Sequence, residues 1–163
     1  MVRLSFEDLF REQYPRLVAV GAAVLGGVDA GRDVAQETMA RAHANWDSVS
    51  NADVPEAWLR WVMNNLLIDQ LRRRQVEQRA MERLASGVQH AEAASSDVSS
   101  RMAELLAVLP ERQRLVVALT YVADLSVADV AAALDIAPGT VKATLWKARR
   151  SLEKYLRDEG SRG

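Results

Sequence analysis

Leu125 to Leu152, LSVADVAAALDIAPGTVKATLWKARRSL, reads as two short amphipathic helices joined by a tight turn, and it decides the fold of the C-terminal half. Ser126 is placed to cap the first helix, and Asp129 stands three residues on as in a capping box. Val127, Val130, Ala131 and Leu134 then form one apolar stripe that must pack on something. Pro138 suits the first turn of the second helix, where the N–H it lacks would have no partner anyway, and Val141, Leu145, Ala148 and Leu152 recur at helical spacing. Turning that helix by about 100° per residue leaves Ala143, Trp146, Lys147 and Arg150 on the opposite face, with Lys142 and Arg149 on one flank. This is the pattern of a helix-turn-helix reading head.

A tryptophan opposite the buried stripe is costly to leave in water, so Trp146 is expected to meet a partner, and the cations around it point to a polyanion such as DNA. The alternative is that Trp146 packs under a neighbouring helix and the cations are a solvated face. It carries less weight, because the two helices, the turn and the basic face agree with one another.

With Lys+Arg 21 against Asp+Glu 22, the net charge of -1 argues against coating nucleic acid by bulk electrostatics. Distribution matters more. Between Met1 and Val54 the acids Glu7, Asp8, Glu12, Asp29, Asp33, Glu37, Asp47 and Asp53 outnumber the arginines, whereas between Pro138 and Arg157 only Glu153 opposes Lys142, Lys147, Arg149, Arg150, Lys154 and Arg157. An acidic front and a basic tail suggest two kinds of partner.

The chain has no cysteine, which excludes disulfides, thiol catalysis and thiolate metal sites. His43 and His90 are isolated and no Ser-His-Asp pattern accompanies them, so no catalytic site, metal or cofactor is expected. Gly21, Gly26 and Gly27 do not match a phosphate loop. No stretch approaches the roughly 20 apolar residues of a membrane span, and Glu7 and Asp8 stand where a signal peptide would need an apolar core. A cytoplasmic protein without membrane insertion is the expectation.

Helical rather than alternating periodicity runs through almost every long segment, so the chain reads as all-α. Ser5 and Asp8 open a first helix bearing Phe6, Leu9, Phe10 and Leu17, which Pro15 bends and Gly26-Gly27 stops. A second helix is expected from about Arg32 to Trp46, then a polar loop from Asp47 to Val54. Asp53 and Glu56 make another capping box, with Pro55 inside the first turn of an apolar helix from Ala57 to about Arg74. The small polar residues of 85–100 read as a flexible linker. The expected organisation is two small helical domains, 1–84 and 101–163, the second resuming at about Met102 and breaking at Leu109-Pro110.

Four groups of residues carry a resemblance: Asp33-Val34-Ala35-Gln36-Glu37-Thr38; Trp58-Leu59 with Asn65 and Asp69 before Arg72-Arg73-Arg74; Leu109-Pro110 with Arg114; and Gly139-Thr140-Val141-Lys142. In this order and spacing the chain resembles a bacterial extracytoplasmic-function (ECF) sigma factor, the minimal group IV kind of the sigma-70 family that keeps only regions 2 and 4. The family resemblance implies that 1–84 binds core RNA polymerase and recognises and melts the promoter -10 element, while 101–163 recognises the -35 element.

Ala35, Thr38, Met39, Ala42 and Trp46 share a face of the second helix, leaving Asp33, Gln36 and Glu37 exposed. The resemblance implies that these three dock on the β′ clamp helices, and that the polymerase β flap is a second contact. It implies that the Asp47–Asp53 loop captures a base flipped from the -10 element. Ser48, Ser50, Asn51 and Asp53 supply hydrogen bonds there, and Trp58, Arg60 and Trp61 lie on the helix that follows. For Trp58 and Trp61 a core role weighs at least as much. Arg72, Arg73 and Arg74 point in different directions and suit phosphates.

In the recognition helix Lys142, Ala143, Trp146 and Lys147 are the base-reading candidates, and Arg149 and Arg150 hold phosphates. Two departures from many relatives stand out: Ala143-Thr144 where Ser-Arg is common, and Asp135 where the turn often has glycine. The resemblance also implies an anti-sigma factor as a partner. The rival reading is a free-standing helix-turn-helix regulator with an N-terminal effector or dimerisation domain, but no sustained heptad seam is present to pair it.

Overall fold

A computed structural model describes residues 4–83 and 97–162, with the side chains of 97–100 left aside. The described residues form two compact helical units, each with its own core. The first contains α1 (Phe6–Leu25), α2 (Val28–Ala44), α3 (Trp46–Ser50) and α4 (Pro55–Glu82). The second contains α5 (Asp97–Ala107), α6 (Glu111–Val117), α7 (Val127–Leu134) and α8 (Pro138–Gly160).

In the first unit the Ser5 hydroxyl accepts from the Asp8 backbone N–H at 3.1 Å and donates to the Asp8 carboxylate at 2.7 Å. α1 tolerates the exposed Pro15 and ends at Gly26, whose φ of 79° is one that residues with a Cβ seldom adopt. α1 and α2 then cross at van der Waals contact of their backbones. A Cβ on Gly31 would lie 2.6 Å from both the Val18 carbonyl oxygen and the Ala22 nitrogen, and one on Gly21 would lie 2.8 Å from the Gly31 Cα. Of the three glycines that match no phosphate loop, Gly21 therefore shapes this crossing. α4 lays Leu59, Val62, Met63, Leu67 and Leu71 against the pair. Thr38 is fully buried in this core, and its hydroxyl donates to the Val34 carbonyl at 2.8 Å, as a buried polar group requires.

Several expected boundaries move. α2 begins at Val28 rather than Arg32, and Trp46 belongs to α3, a short helix inside the expected polar loop. Asp53 does not cap α4; Val54 occupies that position, and no side chain closes it. The cause is Pro55 at the first helical position, which holds the residue before it extended, at φ -135° and ψ 90° for Val54. α4 continues past Arg74 to Glu82, because Arg, Glu, Gln, Ala and Met propagate a helix once it has begun. α5 starts at Asp97 within the expected linker, whose residues 85–96 lie outside the described residues together with His90.

In the second unit Leu106, Leu109, Val116, Leu119, Val130, Ala131, Leu134, Val141 and Ala148 make the core. α6 loosens into a wider turn over Ala118–Val122, with the Ala123 N–H reaching the Ala118 carbonyl at 2.9 Å. Ser126 caps α7 through the Asp129 N–H at 3.1 Å, in the expected box. Asp135 closes α7 at φ 53°, where glycine is common and aspartate is tolerated, and its neighbour's N–H (Ile136) returns to the Ala131 carbonyl at 3.0 Å.

Candidate nucleic-acid and polymerase interfaces

The buried stripe of α8 sets the direction of everything opposite it. Val141 and Ala148 are fully buried and Leu145 and Leu152 half-buried, so Lys142, Ala143, Trp146, Lys147, Arg149 and Arg150 all face solvent. Trp146 is 58% exposed, which rules out its packing under a neighbouring helix. The Arg150 guanidinium lies 4.9 Å from the centre of its ring, a cation–π contact that holds one cation against the aromatic. Trp146, Arg149, Arg150, Glu153, Lys154 and Arg157 line a shallow groove of about 630 Å³ along this face. No side chain caps the start of α8, which leaves that end of the helix dipole open to an anion.

On the first unit the α3 region is less uniform than its composition suggests. Ser48, Asn51 and Asp53 are exposed, but the Asn51 amide nitrogen already donates to the Asp47 carbonyl at 2.6 Å. A cavity of about 310 Å³ is lined by His43, Ala44, Asn45, Trp46, Asp47 and Ser48. Of the sequence candidates it includes Ser48 and not Asn51 or Asp53. Trp58 is half-buried and Trp61 is 66% exposed, so Trp61 has no core role.

Arg72 and Arg73 are exposed, whereas the Arg74 guanidinium donates to the Leu25 carbonyl at 2.7 Å and closes the C-terminal end of α1. Arg60 is exposed and engaged with another group.

Sequence reading missed an aromatic group where α1 meets the end of α2. Phe6 sits edge-on to His43 at 4.9 Å and to Trp46 at 5.5 Å, and Phe10 stacks on Tyr14 at 4.7 Å. The i, i+4 spacing of Phe6, Phe10 and Tyr14 was visible; the approach of His43 and Trp46 depends on the helix crossing.

Asp33, Gln36 and Glu37 are exposed on α2, opposite the buried Val34, Ala35, Thr38 and Met39. Glu37 accepts from Arg41 Nε at 2.8 Å across one turn. Among the described residues no cluster of His, Asp or Glu could hold a metal ion, and no helix is long and apolar enough to cross a membrane.

Residues 9–77 match the family described as Sigma-70 region 2, and residues 99–152 the family described as Sigma-70, region 4. The chain is 30% identical to the ECF RNA polymerase sigma factor SigW of Bacillus subtilis, over 94% of this chain and 90% of SigW. It is also 30% identical to the RNA polymerase sigma-E factor of Streptomyces avermitilis, over 94% of this chain and 86% of that protein. A solved structure of the sigma factor RpoE in complex with the anti-sigma factor NepR from Bartonella quintana superposes with a TM-score of 0.55 at 26% identity, covering 93% of this chain and 96% of that one. Two helical units with an acidic helix face in one and a basic helix-turn-helix in the other, matched in order by regions 2 and 4, place the chain in the sigma-70 family as an ECF sigma factor, which directs RNA polymerase to promoters and is not itself an enzyme.

Proposed function

We propose that the two units, with bounds near 1–84 and 101–163, divide promoter recognition between them. The second inserts the first half of α8 into the major groove of the -35 element. Lys142 and Lys147 can donate to guanine O6 and N7 there, Ala143 and Trp146 offer apolar contact, and Arg149 and Arg150 hold phosphates. The first docks Asp33, Gln36 and Glu37 on the β′ clamp helices of core polymerase, while the second contacts the β flap. Its α3 region, with Ser48, Asn51 and Asp53, captures -10 bases, and Arg60, Arg72 and Arg73 steady the DNA beside them. Unpairing costs a few kcal/mol per base, which capture and the polymerase contacts must offset.

Arg74 has a smaller share in this reading than the sequence suggested, since one of its nitrogens is already held by the Leu25 carbonyl. Phosphodiester synthesis and its metal belong to the polymerase. The complex of RpoE with NepR supports an anti-sigma factor as a further partner of this chain. The cytoplasm, where the polymerase works, is the proposed site of action.

The observation that carries the reading is the exposed basic face of α8, with a 58% exposed tryptophan opposite fully buried Val141 and Ala148. Its polymerase half is tested by alanine at both Gln36 and Glu37. Affinity for core should fall at least several-fold while binding of the isolated protein to DNA is unchanged; undiminished affinity for core would refute the assignment.

A further inference from the structure

The second unit opens on a helix whose leading end has little core to pack on. Among the described side chains of α5, Leu106 is the first to be fully buried; Arg101, Met102 and Glu104 are exposed, and Ala103 and Leu105 are half-buried. A helix end without apolar burial opens at little cost. A polar contact ties this one to the last turns of α8. Arg101 Nη2 donates to Glu159 Oε2 at 2.8 Å, and the Tyr155 hydroxyl donates to Glu159 Oε1 at 2.8 Å. The other terminal nitrogen of Arg101, Nη1, donates to Glu104 Oε2 at 3.3 Å.

Its geometry separates this contact from an ordinary surface ion pair. Arg11–Asp8, Arg16–Glu12, Arg32–Asp29 and Arg41–Glu37 each lie within one helix, three or four residues apart, whereas Arg101 and Glu159 are 58 residues apart and link two helices. Both oxygens of Glu159 and both terminal nitrogens of Arg101 are engaged. Each group is thereby held in one orientation, the condition under which an exposed pair contributes. The bond to Glu159 raises the pKa of Arg101 and the bond from Arg101 lowers that of Glu159, so both keep their charges around neutrality. Tyr155 and Glu159 also lie beyond residue 152, where the match to region 4 ends.

The head of α8 does not depend on this contact, because Val141 and Ala148 are fully buried. The leading turn of α5 does. If it came free, the residues from Asp97 to Arg101 would join the chain that connects the two units. An extended residue spans up to about 3.4 Å against 1.5 Å in a helix, so five of them would add roughly 9 Å, about two to three base-pair steps of duplex. We infer that Arg101, Tyr155 and Glu159 form a clasp that limits the length of this connection and so makes the protein selective for the spacing between the -35 and -10 elements. The inference rests on the proposed division of promoter recognition between the two units. The three residues act as positioning residues, and none of them touches a base.

The test uses holoenzyme assembled from core polymerase and the full chain, transcribing a set of promoters whose spacer is lengthened or shortened by one and two base pairs. R101E breaks the clasp by charge reversal, and R101E with E159R rebuilds it in the opposite sense. For R101E, output on the lengthened spacers relative to the best one should rise about two- to five-fold, the range an exposed ion pair supports, while the shortened spacers gain nothing. The double variant should return to the parent ratio. Tyr155→Phe, which removes one hydrogen bond and no charge, should move the ratio the same way by less. Binding of each variant to a -35 duplex should match the parent. A ratio unchanged in both R101E and Tyr155→Phe overturns the inference, as does an equal loss at every spacing, which is what simple destabilisation of the second unit would give. Failure of the parent holoenzyme to initiate on any of these promoters would overturn the underlying reading, and this inference with it.

Discussion

Gly31→Ala should destabilise the first unit, although alanine is the better helix former. In an unobstructed helix the change would stabilise by about 0.5–1 kcal/mol. Here the new Cβ would stand 2.6 Å from the Val18 oxygen and the Ala22 nitrogen, both backbone atoms that no rotamer change can move. A carbon–oxygen contact needs roughly 3.3 Å, so α1 and α2 must part by about 0.7 Å. A gap of that size forfeits about a quarter to a half of the dispersion energy of each contact it opens, and overpacking of this kind costs about 1–3 kcal/mol.

A net loss of about 2 kcal/mol corresponds to a fall in Tm of roughly 8–16 °C for a unit of this size. Circular dichroism together with fluorescence from Trp46, Trp58 and Trp61 would follow the melting. Gly139→Ala is the control: nothing lies within 4 Å of its Cβ position, and its Tm should hold or rise. Because α2 carries Asp33, Gln36 and Glu37, affinity for core polymerase should fall with Gly31→Ala. An unchanged or raised Tm would refute the tight crossing.

Other outcomes follow from the same geometry. Lys147→Ala should relax preference at one base position by about 1–3 kcal/mol, whereas Arg150→Ala should weaken all sequences alike; binding to a panel of singly substituted -35 duplexes separates them, and uniform losses for both would remove the distinction. Glu159 accepts hydrogen bonds from Arg101 and Tyr155, each at 2.8 Å, and these hold its carboxyl below the ordinary value near 4.5. A group lowered on folding stabilises at pH above its unfolded value and stops doing so as pH falls through the lowered one. The parent should therefore be slightly more stable than Glu159→Gln near neutrality and lose that advantage on acidification, as measured by urea denaturation across pH; a difference independent of pH would show that the carboxylate is not engaged.

What could be read from the sequence was local. Ser126 with Asp129, Asp135 in the turn, Pro138 at the helix start and the Val141–Ala148 stripe each act within a few residues, and together they oriented the exposed basic side of α8. The same holds for Asp33, Gln36 and Glu37, whose exposure follows from helical spacing alone. What escaped depends on distant segments meeting or on weak local preferences. Nothing near Arg74 in sequence announces the Leu25 carbonyl 49 residues away, nor does Gly21 announce Gly31. Trp58 and Trp61 differ by less than a turn, and only the helix packing exposes one more than the other. The continuation of α4 to Glu82 rests on propensity without a core, for which apolar periodicity offers no signal.

Run-off transcription by purified core RNA polymerase, with and without this protein, on a library of fragments from its own genome tests the central claim most directly. Discrete start sites that appear only in its presence, preceded by shared -35 and -10 elements, are the predicted result. No initiation, together with no complex with core polymerase, would contradict it and leave a free-standing helix-turn-helix regulator as the reading.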